Sequence, residues 1–271
     1  MNSTWNVLSA AAVLLLTAGC AVDPLGLETE RRTITVQPVR NPIVIDGEVS
    51  SGEWGHAEFH SLTDADPIPE ELPPKVRAAL RGTPVESSRV ALLHDAENLY
   101  IAGVFQDRDV VQFAVEDQEM HFRTGDTLEL FLKPADLFCY YEFYFTPNNF
   151  RTSLFYVSKY YPGAVRKELF LSGIRCAAKV NGTLNVWRDI DRGWSVEGAI
   201  PLKDLERQFG RPFDPGTEWH ALLVRYNYGY SFPRRQRTCA PPCRPMSSTT
   251  IATGENCASF PIPTTIEEKI V

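Results

Sequence analysis

The segment Gly125 to Phe145 constrains the fold of this chain most strongly, because its residues alternate between two faces with a period of two. The alternation is interrupted only at Lys133 to Asp136 and then resumes. This period, with aromatic enrichment on both sides of a turn, is typical of two paired strands. On the first strand the pattern separates Leu128, Leu130 and Leu132 from Thr127, Glu129 and Phe131. On the second strand it separates Tyr141, Phe143 and Phe145 from Tyr140, Glu142 and Tyr144.

Most of the chain beyond residue 88 has the same strand character. Over the whole chain the helical patterns are short, at Ser51 to Trp54, Lys75 to Arg81 and Pro201 to Phe209. The strongest hairpin signal is Asn181-Gly182, which predicts that Arg175 to Val180 pairs with Thr183 to Ile190. The other predicted strands are Arg89 to His94, Leu99 to Gln106, Arg151 to Ser158, Trp194 to Ile200 and Glu218 to Tyr228. We predict an all-β fold, an antiparallel, jelly-roll-like β-sandwich with few short helices.

The N-terminus resembles the export signal of a bacterial lipoprotein. Residues 1–19 contain a short apolar run, Ala10 to Ala18, which is too short to span a bilayer but suits a signal peptide. Small residues directly before Cys20 predict cleavage there and lipidation of its thiol. Residues 20–41 then form a tether. We expect an exported protein, lipid-anchored to a bacterial cell-envelope membrane; the alternative is an ordinary secretory signal with an incidental cysteine.

Bulk charge narrows the range of partners. The net charge is −7, and no block of Lys and Arg interleaves with aromatic residues, so we expect no nucleic-acid partner. An acidic surface also gives no attraction to anionic headgroups, so membrane contact is expected through the lipid anchor only.

Five cysteines follow the signal segment: Cys139, Cys176, Cys239, Cys243 and Cys257. Pairing is expected in an oxidising compartment. The last three favour a local disulfide, and Cys139 with Cys176 is a possible cross-strand bridge. Because five is an odd number, at least one thiol is free or pairs between chains.

Five segments together resemble the family 9 carbohydrate-binding modules and the wider DOMON-like sandwiches: Ile45 to Trp54, Val90 to Asp107, Gly125 to Leu132, Tyr140 to Asn148 and Gly193 to Leu205. They occur in the family's order, and the resemblance covers residues 42–230. It implies that residues 42–271 form one sandwich domain, which binds a glycan end or an oligosaccharide without catalysis, often beside a structural calcium. Trp54, Trp194 and Trp219 lie inside these motifs and are expected to pack in the core.

A sugar site needs aromatic rings for the apolar faces of a pyranose and fixed polar groups for its hydroxyl rim. Trp187 is less tied to a motif than the other tryptophans and is a candidate platform. Tyr228 alternates with Tyr226 and Tyr230 on the last predicted strand, and Tyr160 lies in a predicted loop. The candidate sugar-binding residues are Trp187, Arg225, Tyr228, Glu129, Glu142 and Tyr160.

Glu129 and Glu142 lie inside otherwise apolar strands, where an unpaired carboxylate is costly. Three roles are open to them: a structural ion pair with an arginine such as Arg151 or Arg225, hydrogen bonding to a sugar, or glycosidase catalysis. We expect no catalytic residue.

Four acidic turn residues could ligate a calcium ion, which prefers oxygen ligands: Asp46, Glu48, Asp107 and Asp109. Haem-binding DOMON-type electron transfer is an alternative function, but Met120 and His121, adjacent on a strand, would point to opposite faces. A structural or assembly lipoprotein is the third possibility.

Overall fold

The computed structural model describes residues 34, 36–65, 68, 70–157, 170, 172–209 and 219–240, which contain strands and a few short helices. In chain order the strands are β1 (Gln37–Pro38), β2 (His60–Ser61), β3 (Thr63–Asp64), β4 (Ser88–His94), β5 (Asn98–Phe105), β6 (Thr127–Pro134), β7 (Tyr140–Phe145), β8 (Arg151–Tyr156), β9 (Arg175–Asn181), β10 (Gly193–Pro201), β11 (Trp219–Asn227) and β12 (Gln236–Ala240). The helices are α1 (Ser51–Trp54), α2 (Pro74–Gly82) and α3 (Leu202–Phe209), with a 3₁₀ turn at His121–Arg123. In this part of the chain no helix is long and apolar enough to cross a membrane.

The strands form two sheets. The first has the order β1-β4-β5-β10-β9, with β2 also beside β4, and the second has the order β3-β12-β11-β6-β7-β8. All pairings are antiparallel except that of β1 with β4. The predicted all-β sandwich is therefore confirmed, and β1 and β12 extend it beyond the segments that the sequence resemblance covers.

The core between the sheets contains the side chains that the alternation assigned to one face of β6 and β7. These are Leu128, Leu130, Leu132, Tyr141, Phe143 and Phe145, and all are buried. The first sheet packs closely against these side chains at Gly198 of β10. A Cβ atom added to Gly198 would lie only 2.4 Å from the ring of Phe145. Glycine at this position lets the two sheets approach each other.

A buried carboxylate joins two of the motifs that are far apart in sequence. Glu197 of β10 accepts hydrogen bonds from the indole N–H of Trp54 at 2.7 Å and from the backbone N–H groups of Gly47 at 2.9 Å and Asp46 at 3.1 Å. Gly47 has a φ of +84°, and a Cβ there would lie 2.7 Å from the backbone of β9. These contacts explain why an Asp-Gly turn, a tryptophan and a strand glutamate occur together. Trp54 is buried, as expected for a framework residue.

The hairpin predicted at Asn181-Gly182 is wrong. β9 pairs with β10, where Asn181 is opposite Gly193, and residues 182–192 form a loop. Asp191 fixes this loop, because its carboxylate accepts a hydrogen bond from Thr183 N of the same loop at 2.7 Å and one from Val110 N of a distant loop at 2.8 Å. Contacts with a loop distant in sequence therefore override the local turn signal.

Candidate functional site

The outer face of the second sheet, turned away from the first sheet, carries carboxylates among tyrosines. The strand register places Glu129 opposite Tyr144 and Glu142 opposite Phe131 on neighbouring strands. We call this surface the tyrosine–glutamate face, and it consists of Glu129, Tyr140, Glu142, Tyr144, Tyr156 and Tyr226. The alternation in the sequence separated the two faces of each strand, and the register of β6 with β7 brings these faces together.

Glu142 is held by two hydroxyl groups. Tyr144 and Tyr156 both donate hydrogen bonds to its carboxylate. Burial nevertheless raises the pKa of Glu142 from 4.5 to about 7, because the two hydrogen bonds offset only part of the cost of removing the charge from water. The Tyr140 and Tyr156 rings stack beside it, with centroids 4.6 Å apart and planes 2° from parallel.

Glu129 is more deeply enclosed. Burial and the neighbouring Glu142 hold its pKa well above the usual range, while Arg235, Arg237 and the Tyr226 hydroxyl act in the opposite direction. Its Oε1 atom has no hydrogen-bond partner among the described residues. Glu129 is therefore a buried acceptor with unused capacity.

Arg151 and Arg225, named as possible ion-pair partners of these glutamates, both have other partners, so that pairing is wrong. Arg151 pairs with Asp117 at 3.3 Å. Arg225 is 1% exposed and lies on the inner face of β11, where its guanidinium donates to Asp107 at 2.8 Å and to Ser88 at 2.9 Å. Arg225 thus forms a structural ion pair inside the sandwich.

A further carboxyl group, that of Asp126, lies next to the Asp107–Arg225 pair. Asp126 is buried beside Asp107, and burial together with the charge of Asp107 raises the pKa of Asp126 well above its usual range. Asp126 accepts hydrogen bonds from the backbone N–H groups of Val111 and Tyr228, both at 2.7 Å. This carboxyl therefore positions the loops at the end of the sheet.

The four calcium candidates have protein partners. Asp107 binds Arg225, and Asp109 accepts a hydrogen bond from Tyr230 N at 2.5 Å. Asp46 accepts one from Glu48 N at 2.8 Å, and Glu48 pairs with Lys179 at 2.8 Å. Within the described ranges, no group of three or more His, Cys, Asp or Glu side chains could hold a metal ion.

Two exposed rings stack at the end of the sandwich beyond β11. Trp187 is 53% exposed and Tyr230 is 75% exposed, with ring centroids 4.7 Å apart and planes 25° from parallel. We call them the Trp–Tyr pair. The guanidinium carbon of Arg188 lies 5.0 Å from the centroid of the Trp187 ring. Sequence reasoning considered both rings but passed over Arg188, whose only signal is its position next to Trp187.

Tyr228 connects the Trp–Tyr pair to the tyrosine–glutamate face. It is half-buried, its hydroxyl donates to Phe122 O at 2.6 Å, and Arg235 donates to that hydroxyl at 3.0 Å. Phe122 in turn contacts Tyr226, with ring centroids 5.3 Å apart. The structure thus links Tyr228 to the tyrosine–glutamate face through Phe122 and leaves Arg225 inside the core. Tyr160 and Cys20 lie outside the described residues.

Met120 and His121, the residues considered for the haem alternative, differ from the prediction in backbone conformation. His121 begins a 3₁₀ turn and is not on a strand. Both nitrogens of its buried ring are engaged, one with Glu116 O at 3.1 Å and the other with the Thr152 hydroxyl at 2.9 Å. The sulfur of Met120 lies 3.9 Å from the Tyr144 hydroxyl oxygen. Neither ring nitrogen of His121 is therefore free to bind an iron.

The described cysteines include both a free thiol and a disulfide-bonded residue, a division that the sequence left open. Cys176 forms no disulfide with Cys139, and its thiol donates to Asn149 O at 3.3 Å. Burial raises the pKa of the Cys176 thiol to about 12. Cys239 is disulfide-bonded, and its partner lies outside the described residues, as do Cys243 and Cys257.

Comparison with solved structures gives relatives in fold. A "putative carbohydrate-binding protein" from Bacteroides uniformis matches with a TM-score of 0.56 at 14% identity, covering 78% of this chain and 91% of its own. Family 9 carbohydrate-binding modules from Caldicellulosiruptor kristjanssonii also match. The one in complex with cellotriose has a TM-score of 0.45 at 17% identity and covers 75% and 80% of the two chains. The one in complex with glucose has a TM-score of 0.44 at 16% identity and covers 75% and 83%. No protein-family model matches the chain, and no curated protein matches its sequence. The first match confirms the sandwich fold that the sequence resemblance implied.

Proposed function

We propose that this protein is a non-catalytic carbohydrate-binding module that takes a sugar ring on the Trp–Tyr pair. The observation that carries this proposal is the stacking of Trp187 on Tyr230 with more than half of each side chain exposed. Large aromatic side chains are normally buried in a soluble domain, so a stacked pair at the surface favours a ligand. The fold likeness to the Bacteroides uniformis protein supports the same class of function.

The neighbouring groups suit the rest of a sugar. A pyranose has apolar C–H faces that fit an aromatic ring and a hydroxyl rim that needs fixed donors and acceptors. Arg188 and Asp189 are exposed beside Trp187, and Arg235 and the Tyr228 hydroxyl lie toward the tyrosine–glutamate face. These groups provide donors and acceptors near the platform.

Replacing the platform tests the proposal. We expect Trp187→Ala to weaken binding of the best oligosaccharide from a broad panel, screened with and without calcium, by about thirtyfold, as for the central ring of an interface. The matched control is Phe138→Ala, because Phe138 is 76% exposed and lies in the β6–β7 turn at the opposite end of the sheet. Titration calorimetry measures both variants, and their unfolding midpoints establish that the fold is intact.

Two outcomes contradict the proposal. If Trp187→Ala and Phe138→Ala have the same small effect, the Trp–Tyr pair is not the platform. If the folded wild-type protein binds nothing on the panel, a structural or assembly role replaces carbohydrate binding.

Catalysis is the second candidate, because two neighbouring carboxyl groups have raised pKa values. A glycosidase needs two carboxyl groups flanking the scissile bond, at least one of them ionised. Glu129 and Glu142 instead lie on adjacent strands of the same face, both almost completely buried. We therefore expect no release of reducing ends from any glycan that the protein binds, and release that is lost in Glu142→Gln would show that the protein is an enzyme.

The proposal also includes the location of the protein in the cell. We expect the protein to be exported and held on a cell-envelope membrane by lipid at Cys20. Cys20→Ser should move it from the membrane fraction to the soluble fraction of a bacterial host that secretes it. Retention of that variant in the membrane fraction would refute the anchor.

A further inference from the structure

In the loops that carry the Trp–Tyr pair, the acidic side chains bind groups of the loops themselves, whereas the arginine side chains are exposed. The loop 182–192 is bound to residues 108–112 through Asp191 N to Arg108 O at 3.0 Å and Asn185 Nδ2 to Gln112 O at 2.9 Å. The strand β11 is followed by Tyr230, which is bound to Asp109. These three segments therefore form one connected surface.

The carboxylates of this surface are used internally. Asp191 is buried and binds the N–H groups of Val110 and Thr183. Asp109 binds Tyr230 N, and Asp189, although exposed, accepts a hydrogen bond from the Thr183 hydroxyl. The negative charges thus hold the loops together.

The arginines of the same surface point outward. Arg108, Arg188 and Arg192 are exposed, and none forms an ion pair within 4.0 Å in the part of the chain that the structure describes. Exposed guanidinium groups without an ion pair favour an anionic ligand.

We propose that the carbohydrate bound by the Trp–Tyr pair is anionic, with the carboxylate of a uronic acid on Arg188; this rests on the proposed function. The guanidinium of Arg188 lies 5.0 Å from the centre of the Trp187 ring. Because Tyr230 and the Arg188 guanidinium both lie against Trp187, a sugar carboxylate at the exposed edge of the Trp–Tyr pair comes within reach of that guanidinium. Arg binds carboxylate through two parallel hydrogen bonds, a geometry that a hydroxymethyl group cannot match.

The test compares each acidic glycan with a neutral copy of itself. Oligosaccharides of galacturonate, glucuronate and mannuronate are titrated beside their carboxyl-reduced forms, which keep the linkage and replace only the carboxylate. We expect the acidic form to bind about tenfold more tightly, as for a charge-assisted hydrogen bond at a surface. The preference should weaken in high salt, because exposed charges are screened.

Arg188→Gln locates the interaction. We expect it to abolish the preference for the acidic form, because the acidic and the reduced glycan then meet the same neutral side chain. Arg192→Gln is the matched control, since it removes an exposed arginine of the same loop, and it should retain the preference. If both variants lose the preference equally, Arg188 does not hold the carboxylate.

The outcomes separate this inference from the proposed function. Equal binding of acidic and reduced glycans by the wild type refutes the anionic ligand while leaving carbohydrate binding intact. Preference for a sulfated neutral glycan over every uronic acid refutes the carboxylate. Absence of binding to every glycan, acidic or neutral, refutes the proposed function itself.

Discussion

Glu142 makes the stability of this protein depend on pH in a way that can be worked out from the structure. Burial raises its pKa from 4.5 to about 7, so the folded state holds its proton more tightly than the unfolded state does. The stabilisation from this group is therefore fully present below pH 4.5 and is lost as the pH rises through about 7. The sign is opposite to that of a carboxylate stabilised by a salt bridge.

The magnitude follows from the size of the shift. One unit of pKa corresponds to about 1.4 kcal/mol, so the shift of Glu142 corresponds to roughly 3 kcal/mol between about pH 4.5 and about pH 8.5. Glu142→Gln removes this contribution because the amide does not titrate. Over that range, we expect the free energy of unfolding to fall by about 3 kcal/mol less in Glu142→Gln than in the wild type.

Urea unfolding followed by tryptophan fluorescence, with the disulfide intact, measures both proteins at each pH. Glu58→Gln is the control, because Glu58 is 62% exposed and should leave the pH dependence unchanged. Parallel curves for the wild type and Glu142→Gln would refute the reasoning, since Glu142 would then have the same proton affinity in the folded and unfolded states.

Two further predictions concern the framework. Arg225→Met should lower the free energy of unfolding by about 3–5 kcal/mol in urea at neutral pH, because it leaves Asp107 buried without its cation. This loss of stability should shrink in acid, because Asp107 is then protonated. Lys179→Met is the control, since it breaks an exposed ion pair and should have no measurable effect. A similar change in both variants would contradict the stabilising role of the buried pair. Gly47→Ala should lower stability by roughly 1–3 kcal/mol or more, because its φ is positive and its Cβ would meet the backbone of β9. Gly82→Ala, where the added Cβ meets nothing, is the control, and equal midpoints for the two alanine variants would rule out strain at Gly47.

The sequence predicted best where a pattern is local. The alternation along Gly125 to Phe145 identified which side chains face the core and which form the outer face, because successive side chains of a strand point to opposite sides. The register of β6 with β7 then places Glu129 and Glu142 on one surface, which the alternation alone did not decide. Motif resemblance added the sandwich fold, which the structure confirms.

Features that depend on contacts between distant segments were beyond the sequence. The Asn181-Gly182 turn was a strong local signal, yet β9 pairs with β10 because residues 182–192 are bound to the loop around Val110. Arg225 looked like a polar residue on a binding strand, but register turns it inward to Asp107.

The sequence by itself determined the two faces of the central strands and the class of fold, because both follow from the period of the side chains. Only the tertiary structure decided the partners: which arginine neutralises which carboxylate, and which tyrosine stacks on Trp187. Charge pairing and ring stacking act over a few ångströms, and those distances are set by how strands and loops far apart in sequence are packed together.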